Sequence, residues 1–331
     1  MKTLFGALCI GVTACATAAL ADEVKPAIVF DLGGRHDKSF NEGVDHGAMK
    51  FTKETGIKYH ALEPTNATQI EQYHHELAAK GYWPILGVGF DQADPLGKAA
   101  KEFPKTKFAI IDSVVDLPNV QSIVFKEQEG SFLVGMMAAM KSASGKVGFV
   151  GGMDIPLIRK FECGYAQGAK FANAKVEVLM NMTGTDPSAW NNPVKGGELA
   201  KSQIEQGADV VYAAAGATGS GVYQAAADAG KLAIGVDSDQ DSLQPGHMLT
   251  SMVKRVDVAT YDTFMDAKNG TWKAGLRVLG LAEDGVGPAF DAENAPLVSA
   301  EMKAKVMQAR KDIIAGKIQV HDYMADNACP D

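Results

Sequence analysis

Short apolar segments alternate with segments of helical periodicity along most of this 331-residue chain. Several of the apolar segments are continuous runs, which is typical of strands buried on both faces of a parallel sheet. This βαβ repetition predicts an α/β fold of two doubly wound parallel-sheet lobes, because one compact sheet would not hold all the strands. The predicted strands span residues 27–32, 57–62, 83–88, 108–114 and 122–125 in a first series, and 147–150, 176–180, 210–213, 233–236 and 248–253 in a second.

The segments between the predicted strands have helical spacing, and Gly56, Gly81, Gly207 and Gly230 follow four of them. Glycine at that place favours the left-handed conformation that ends many helices. No low-complexity linker divides the chain, so we expect several short crossings between the lobes. The predicted helices span residues 41–54, 67–80, 129–142, 156–173, 193–206, 221–229, 256–268 and 300–315.

The first residues predict a secretory signal peptide. Residues 4–20 are apolar and small, and Ala19-Leu20-Ala21 fits the small-x-small pattern of a cleavage site. A membrane-spanning helix would need about 20 strongly apolar residues, so we expect residues 1–21 to be removed and the protein to be periplasmic. The segment Val12-Thr-Ala-Cys15 also resembles a bacterial lipobox. The alternative is therefore a lipoprotein anchored at Cys15.

Cleavage after Ala21 would leave two cysteines, Cys163 and Cys329. In an oxidising compartment they can pair, and the bond would tie the C-terminal tail to the body of the protein. The alternative is one buried thiol and one loose thiol in the tail, because the sequence does not show whether the two Cα atoms come within bonding distance.

The composition and motifs argue against an enzyme, a metalloprotein and a nucleic-acid-binding protein. The formal net charge is −8, whereas a nucleic-acid surface needs clustered basic residues. The chain lacks a Gly-x-Ser-x-Gly elbow, a His-Glu-x-x-His pair and a Cys-x-x-Cys pair. We therefore predict no catalytic residues, no metal and no other cofactor.

The segment Asp31-Leu-Gly-Gly-Arg-His-Asp-Lys-Ser-Phe-Asn41 lies where the first predicted strand gives way to a helix. In open α/β sheets, ligands bind at the carboxyl ends of the strands. Ser39 or Asp37 can cap the following helix, but capping does not require Phe40 and Asn41. A planar ligand of the size of a nucleobase would use both, through ring stacking and amide hydrogen bonds.

Several motifs together resemble the basic membrane protein family of substrate-binding proteins, which includes the purine nucleoside receptor of bacterial ABC importers. They run in order through the chain: Asp31-x-Gly33, Asp37-Lys-Ser-Phe-Asn41, Ile111-Asp112, Phe125-x-x-x-Glu129-Gly-Ser-Phe-Leu-x-Gly135, Gly148-x-x-Gly151-Gly, Phe161-x-x-Gly164-Tyr-x-x-Gly168, Trp190-Asn-x-Pro, Gly216-x-Thr-Gly, Gly235-Val-Asp-x-Asp-Gln240 and Ser251-x-x-Lys254.

The resemblance implies a type I periplasmic binding protein fold with a hinge of three crossings. The N-terminal lobe would comprise residues 22–125 and 251–284, and the C-terminal lobe residues 126–250 and 285–331. Such a protein would be a monomer that binds a purine nucleoside (adenosine, guanosine or inosine) between its lobes. It would then deliver the nucleoside to ABC permease subunits in the membrane.

The resemblance also implies roles at the base end of the site. Phe40 is similar to the ring that stacks on the purine, and Trp190 would form a second stacking surface on the opposite lobe. Asn41 and Asp112 resemble the groups that hydrogen-bond the edge of the base. Structural explanations exist for some of the same residues, since Phe40 could pack in a core and Asp112 could cap a helix.

At the sugar end, Asp237 and Lys254 resemble the pair that binds the ribose hydroxyls, although Lys254 could also be a surface charge. The loop beginning at Gly216 opens a predicted helix, where backbone N–H groups can bind a hydroxyl or an anion; a plain tight turn is the alternative. The predicted ligand-binding residues are Asp31, Ser39, Phe40, Asn41, Asp112, Trp190, Gly216, Thr218, Asp237 and Lys254.

Two other functions are compatible with the sequence. The same two-lobed receptor could bind a sugar, an autoinducer or another heterocycle. An enzyme such as a nucleoside hydrolase could use the same cleft, and it would release free base from a nucleoside.

Overall fold

The structure is a computed structural model that describes residues 23–330. The predicted signal segment 1–21 and the alternative lipidation site Cys15 lie outside the described residues. The strands are β1 (Ala27–Val29), β2 (His60–Leu62), β3 (Ile85–Val88), β4 (Phe108–Ile111), β5 (Val120–Phe125), β6 (Lys146–Met153), β7 (Glu177–Gly184), β8 (Val210–Ala214), β9 (Leu232–Asp237), β10 (Met248–Lys254), β11 (Gly275–Leu279) and β12 (Val286–Pro288). The helices are α1 (Phe40–Thr55), α2 (Ala67–Ala79), α3 (Ala93–Glu102), α4 (Glu127–Lys141), α5 (Pro156–Ala172), α6 (Pro193–Glu205), α7 (Gly219–Asp228), α8 (Val256–Asn269) and α9 (Ala300–Ile314).

The strands form two six-stranded sheets with equivalent strand orders. The first sheet has the order β2-β1-β3-β4-β5-β11 and is parallel throughout. The second has the order β7-β6-β8-β9-β10-β12, in which β12 runs antiparallel to its neighbour. Strands β1, β3, β4 and β8 are buried along their whole length, as their continuous apolar sequences predict. The prediction of two doubly wound lobes is confirmed.

Three elements are absent from the sequence-based prediction, namely helix α3 and the edge strands β11 and β12. Helix α3 begins at Ala93 beside a short 3₁₀ turn and continues with Asp94 and Pro95, so its start lacks a clear apolar period. Strand β11 lies at the edge of the first sheet, where Leu276 is 56% exposed. An edge strand of this kind lacks the apolar run that marks a buried strand.

The chain crosses between the lobes three times, and the crossings bond to one another. The first follows β5, and the N–H of Lys126 donates to the carbonyl of Leu279 at the third crossing (3.0 Å). The second follows β10, and the N–H of Arg255 donates to the carbonyl of Gly285 (2.8 Å). The three crossings therefore form one hydrogen-bonded hinge.

The second crossing corrects the predicted domain boundary at Ser251. Ser251 and Val253 pair with β9 of the second sheet, and Lys254 pairs with β12 of the same sheet. The chain therefore returns to the N-terminal lobe after Lys254. The sequence does not show this boundary, because the apolar pattern of a strand does not indicate which sheet the strand joins.

The C-terminal tail folds back onto helix α5. Gln167 of this helix hydrogen-bonds the backbone of His321 twice, at 2.9 and 3.1 Å. Farther along the tail, Cys329 forms a disulfide with Cys163 of α5, and their Cα atoms are 5.5 Å apart. Of the two alternatives for the cysteines, the structure has the disulfide.

Glycines allow helices α4 and α5 to cross with their backbones in contact. A Cβ atom on Gly168 would lie 1.8 Å from the carbonyl oxygen of Phe132, and one on Gly135 would lie 2.1 Å from that of Tyr165. The obstacle in each case is backbone, which cannot move aside as a flexible side chain can. The close approach of the two helices therefore requires glycine at both positions.

We expect Gly168→Ala to destabilise the protein by about 1–3 kcal/mol or more, because the added methyl group must push α4 away from α5. Gly97→Ala in helix α3 is the matched control, since its nearest neighbour would be Val115 at 3.6 Å. The control should gain up to about 1 kcal/mol through helix propensity. Urea unfolding of both variants measures the difference, and equal free energies of unfolding would contradict the tight crossing.

Candidate functional site

The carboxyl ends of both sheets face a common cavity. Its N-terminal-lobe wall includes Asp31 after β1 and Gly89 after β3, and its C-terminal-lobe wall includes Ala215 after β8. In each sheet these ends lie at the point where the strand order reverses, which is where doubly wound folds bind ligands. The cavity contains about 570 Å³ of empty space, including space open to solvent.

On the N-terminal lobe, the side chain of Asn41 is held by two carboxylates. Its Nδ2 donates to Asp31 Oδ1 (2.7 Å) and to Asp37 Oδ2 (3.1 Å). Asp37 also accepts bonds from the backbone N–H groups of Ser39, Asn41 and Glu42. Of the two possible caps for helix α1, Asp37 is therefore the one that the structure uses. Burial raises the pKa of Asp31 to about 7, although the bond from Asn41 lowers it.

Two further carboxylates occupy strained backbone at strand ends. Asp112 follows β4 with φ +70°, and Asp237 ends β9 with φ +63°. Non-glycine residues in this left-handed region cost of order 1–3 kcal/mol and cluster at ligand sites. Both side chains line the cavity. The strained backbone therefore occurs at two strand ends whose carboxylates line the cavity.

Lys254, the last residue of β10, joins the lobes through its ammonium group. Its Nζ lies 2.6 Å from Asp112 Oδ2 in the N-terminal lobe and 3.0 Å from Oε1 of Glu127, the first residue of α4. Burial lowers the pKa of Lys254, but the surrounding carboxylates, Asp112 first, raise it further, and the net pKa lies above the usual value. The ammonium is therefore charged at neutral pH. The other carboxylate oxygen of Asp112, Oδ1, is buried without a hydrogen-bond partner among the described residues.

Asp237 and Lys254, the two residues predicted to bind the ribose, have different partners in the protein. Its Oδ2 accepts a bond from the Ser39 hydroxyl at 2.5 Å, across the lobe boundary, whereas Lys254 pairs with Asp112 and Glu127. Burial raises the pKa of Asp237 to about 7, although Lys254 and the bond from Ser39 lower it. Asp237 thus titrates near neutral pH in the ligand-free protein.

Aromatic rings form the apolar part of the cavity wall. Phe40 from the N-terminal lobe and Phe161 from α5 both line the cavity, with Lys254 Nζ 5.1 Å and 5.5 Å from the two ring centroids. Trp190 lines the cavity from a short 3₁₀ turn of the C-terminal lobe. Its ring packs over Gly152, where a Cβ atom would lie 2.1 Å from the indole. The aromatic side chains come from both lobes, as stacking on both faces of a planar ligand would require.

The cavity brings most of the predicted ligand-binding residues together, but two of them face elsewhere. Ser39 is buried against Asp237. The Thr218 hydroxyl donates to the carbonyl of Ala189 and accepts from the N–H of Asn192 (2.7 Å each), so it fixes the turn that carries Trp190. The predicted residues that line the cavity are Asp31, Phe40, Asn41, Asp112, Trp190, Gly216, Asp237 and Lys254.

Other residues that line the cavity were not predicted from the sequence. Leu157, Ile158 and Phe161 project from helix α5, and Phe90 follows strand β3. An apolar residue on an amphipathic helix has the same pattern whether it faces a core or a cavity. The one signal that was available was Phe161, which begins one of the family motifs.

The chain matches the family model Bmp, described as ABC transporter substrate-binding protein PnrA-like, over residues 24–323. The ABC transporter nucleoside-binding protein BmpA of Lactococcus lactis is 33% identical over 320 residues, covering 90% of this chain and 89% of the relative. An uncharacterised lipoprotein of Pyrococcus abyssi is 38% identical over 283 residues, covering 81% and 69%. A crystal structure of an ABC transporter solute-binding protein from Aeropyrum pernix superposes with a TM-score of 0.84 at 29% identity, covering 91% of this chain and 94% of that one.

Two parallel-sheet lobes around a polar and aromatic cavity define an extracytoplasmic solute-binding protein of the periplasmic binding protein class. The chain belongs to the Bmp family of PnrA-like ABC transporter substrate-binding proteins. The prediction that the protein is not an enzyme is confirmed by this family, and the hydrolase alternative is wrong. Within residues 23–330, no helix is both long enough and apolar enough to span a bilayer.

Proposed function

We propose that the protein binds a purine nucleoside between its lobes and delivers it to the permease of an ABC importer. The observation that carries this proposal is Asp112, which lines the same cavity as Phe40 and whose buried Oδ1 has no hydrogen-bond partner within residues 23–330. A buried acceptor without a donor is costly, and a base N–H would satisfy it. The ring offers a stacking surface worth roughly 1–3 kcal/mol per base in nucleic-acid systems. The nucleoside-binding name of the Lactococcus relative supports the same ligand class.

The charge of the cavity restricts the ligand further. Among the described residues, those that line it include four carboxylates, Asp31, Asp37, Asp112 and Asp237, and one lysine, Lys254. The ammonium is already paired with Asp112 and Glu127. A phosphate group would therefore meet uncompensated carboxylates, and we propose that the cavity accepts nucleosides and rejects nucleotides.

A thermal-shift screen of the mature protein tests the proposal with nucleosides, 2′-deoxynucleosides, free bases, nucleoside monophosphates and common sugars. A ligand at about 100 times its dissociation constant stabilises by roughly 2.7 kcal/mol, which is a measurable shift. We expect shifts with adenosine, guanosine or inosine that decrease without the 2′-OH and disappear with the monophosphates. A shift with a sugar and none with any purine would favour the alternative cargo.

The ribose assignment has its own test. We expect Asp237→Ala to weaken nucleoside binding more than free-base binding, because a carboxylate that accepts ribose hydroxyls makes charge-assisted bonds. Isothermal titration with guanosine and guanine measures both losses, and equal losses would remove the assignment. Lys254→Ala is a poorer probe of the ribose role, since it also breaks two ion pairs.

We propose a monomer that is released into the periplasm after cleavage at Ala21. The Pyrococcus relatives are described as lipoproteins, which favours the alternative anchor at Cys15. The mass of the mature protein distinguishes the two, because acyl chains at Cys15 would be visible directly. Size-exclusion chromatography of the same sample measures the oligomeric state.

A further inference from the structure

A line of alternating charges runs from the C-terminal tail to the ligand cavity. In the tail, Asp322 Oδ2 lies 3.5 Å from Lys160 Nζ of helix α5. Lys160 Nζ lies 3.0 Å from Glu127 Oε2, and Glu127 Oε1 lies 3.0 Å from Lys254 Nζ. Lys254 then reaches Asp112 Oδ2 in the cavity wall. The two ends of the line are residues of different lobes.

The interior of this line is shielded from water. Glu127 is 1% exposed, Lys254 2% and Lys160 6%, so solvent screens their interactions only weakly. Burial raises the pKa of Glu127, but Lys254 and Lys160 lower it, and the net pKa lies below its usual value. Glu127 is therefore an anion that two ammonium groups share. It does not line the cavity and acts on a ligand only through Lys254.

The tail is fastened to the same helix that forms part of the cavity wall. Positions 160, 163 and 167 of α5 hold the tail through the Asp322 ion pair, the disulfide to Cys329 and the bonds of Gln167 to His321. These positions are spaced at three and four residues, so they lie on one face of the helix. The neighbouring positions Leu157 and Phe161 line the cavity. Attachment of the tail and shape of the cavity thus depend on one helix.

We propose that Glu127, Lys160 and the disulfide-fastened tail are positioning elements of the binding site, which hold the Lys254 ammonium in place for the ligand. This inference rests on the proposed function. With the tail detached, Lys160 loses Asp322 and keeps Glu127 and the carbonyl of Phe125 as its partners. Glu127 is then drawn toward Lys160 and holds Lys254 less firmly. Ligand affinity therefore depends on the disulfide that holds the tail on helix α5.

The test measures guanosine and guanine binding by isothermal titration to the mature protein with its disulfide intact and to the double variant Cys163→Ser/Cys329→Ser. We expect guanosine binding to weaken about tenfold in the double variant, within the 5- to 150-fold range typical of coupling between sites. Guanine binding should weaken less than guanosine binding, because Lys254 is assigned to the ribose end of the site. Asp322→Asn in the wild-type background should weaken guanosine binding to a similar extent, whereas Asp322→Glu should retain the affinity. When Asp322→Asn is added to the double variant, it should cause little further loss of affinity.

Asp326→Asn is the matched control, because Asp326 lies in the same tail and pairs with His321 rather than Lys160. An unchanged guanosine affinity in the double variant, accompanied by a lower melting temperature, would overturn the inference and leave the disulfide a purely stabilising role. If the double variant does not fold, the wild-type protein is measured with and without dithiothreitol, and the same outcomes apply. Failure of every purine to bind the oxidised wild-type protein would instead remove the proposed function.

Discussion

Replacement of Lys254 by methionine is expected to lower the free energy of unfolding by about 3–5 kcal/mol, the usual cost of removing one partner from a buried ion pair. The substitution keeps most of the apolar stem but leaves Asp112 as an uncompensated charge beside the hinge. Urea unfolding of the ligand-free protein at pH 8 measures the loss. At lower pH the loss should shrink, because burial raises the pKa of Asp112 and the carboxyl becomes neutral more readily.

The matched variant is Lys254→Met/Asp112→Asn, which removes both charges. It should recover much of the lost stability, since replacing both partners of a buried pair is far less costly than removing one. Glu127 keeps Lys160 as its partner in this variant. A loss below about 1 kcal/mol in the single variant would place Lys254 among ordinary surface ion pairs and contradict its buried position.

Nucleoside binding is expected to weaken as the pH falls from 8 to 5. The pKa of Asp237 is about 7 in the ligand-free protein, and only the ionised carboxylate accepts two ribose hydroxyls. Binding must therefore expel a proton below pH 7, at a cost of about 1.4 kcal/mol or tenfold in affinity per pH unit. The dissociation constant should rise by up to about 100-fold between pH 7 and pH 5. Isothermal titration of guanosine across this range measures it.

Asp237→Asn should bind weakly at every pH and show a flat profile. Asp31 also has a pKa raised to about 7, so Asp31→Asn is the second control. A slope that persists in Asp237→Asn but disappears in Asp31→Asn would assign the pH dependence to Asp31. A flat profile in the wild-type protein would show that neither carboxylate must be ionised for binding.

The same pKa shift acts with the opposite sign on the stability of the ligand-free protein. The folded state holds the Asp237 proton more tightly than the unfolded state does, because its pKa is raised from 3.8 to about 7. This contribution to stability is therefore present at low pH and is lost as the pH rises from about 4 through 7. Ligand affinity and ligand-free stability thus have opposite dependences on pH at this one carboxylate.

The sequence predicted those site residues that follow buried strands. Asp31, Asp112, Asp237 and Lys254 each lie at the carboxyl end of a strand, and parallel strands place such ends along one edge of a sheet. The family resemblance then indicated which class of ligand these residues would bind. The structure adds the partner of each charge, because ion pairing depends on how the two lobes meet.

The remainder of the site could not be predicted from local pattern. Phe161 and Glu127 lie on helices, and the face that each presents is decided by packing between α4 and α5 rather than by spacing along the chain. Ser39 and Thr218 were predicted to contact the ligand, but their hydroxyls bond to Asp237 and to the Ala189 carbonyl instead. Short polar side chains commonly satisfy neighbouring protein groups, and their residue type does not show which partner they choose.

The three crossings of the hinge also determine the order in which the chain can fold. Strand β5 needs β11 as its neighbour, and 149 residues (126–274) separate the end of one from the start of the other. Until Gly275–Leu279 has emerged, β5 is an unpaired sheet edge with apolar side chains, the kind of surface that invites aggregation. The second lobe is likewise incomplete before Val286–Pro288. Neither sheet can therefore be completed until more than 270 of the 331 residues have been synthesised.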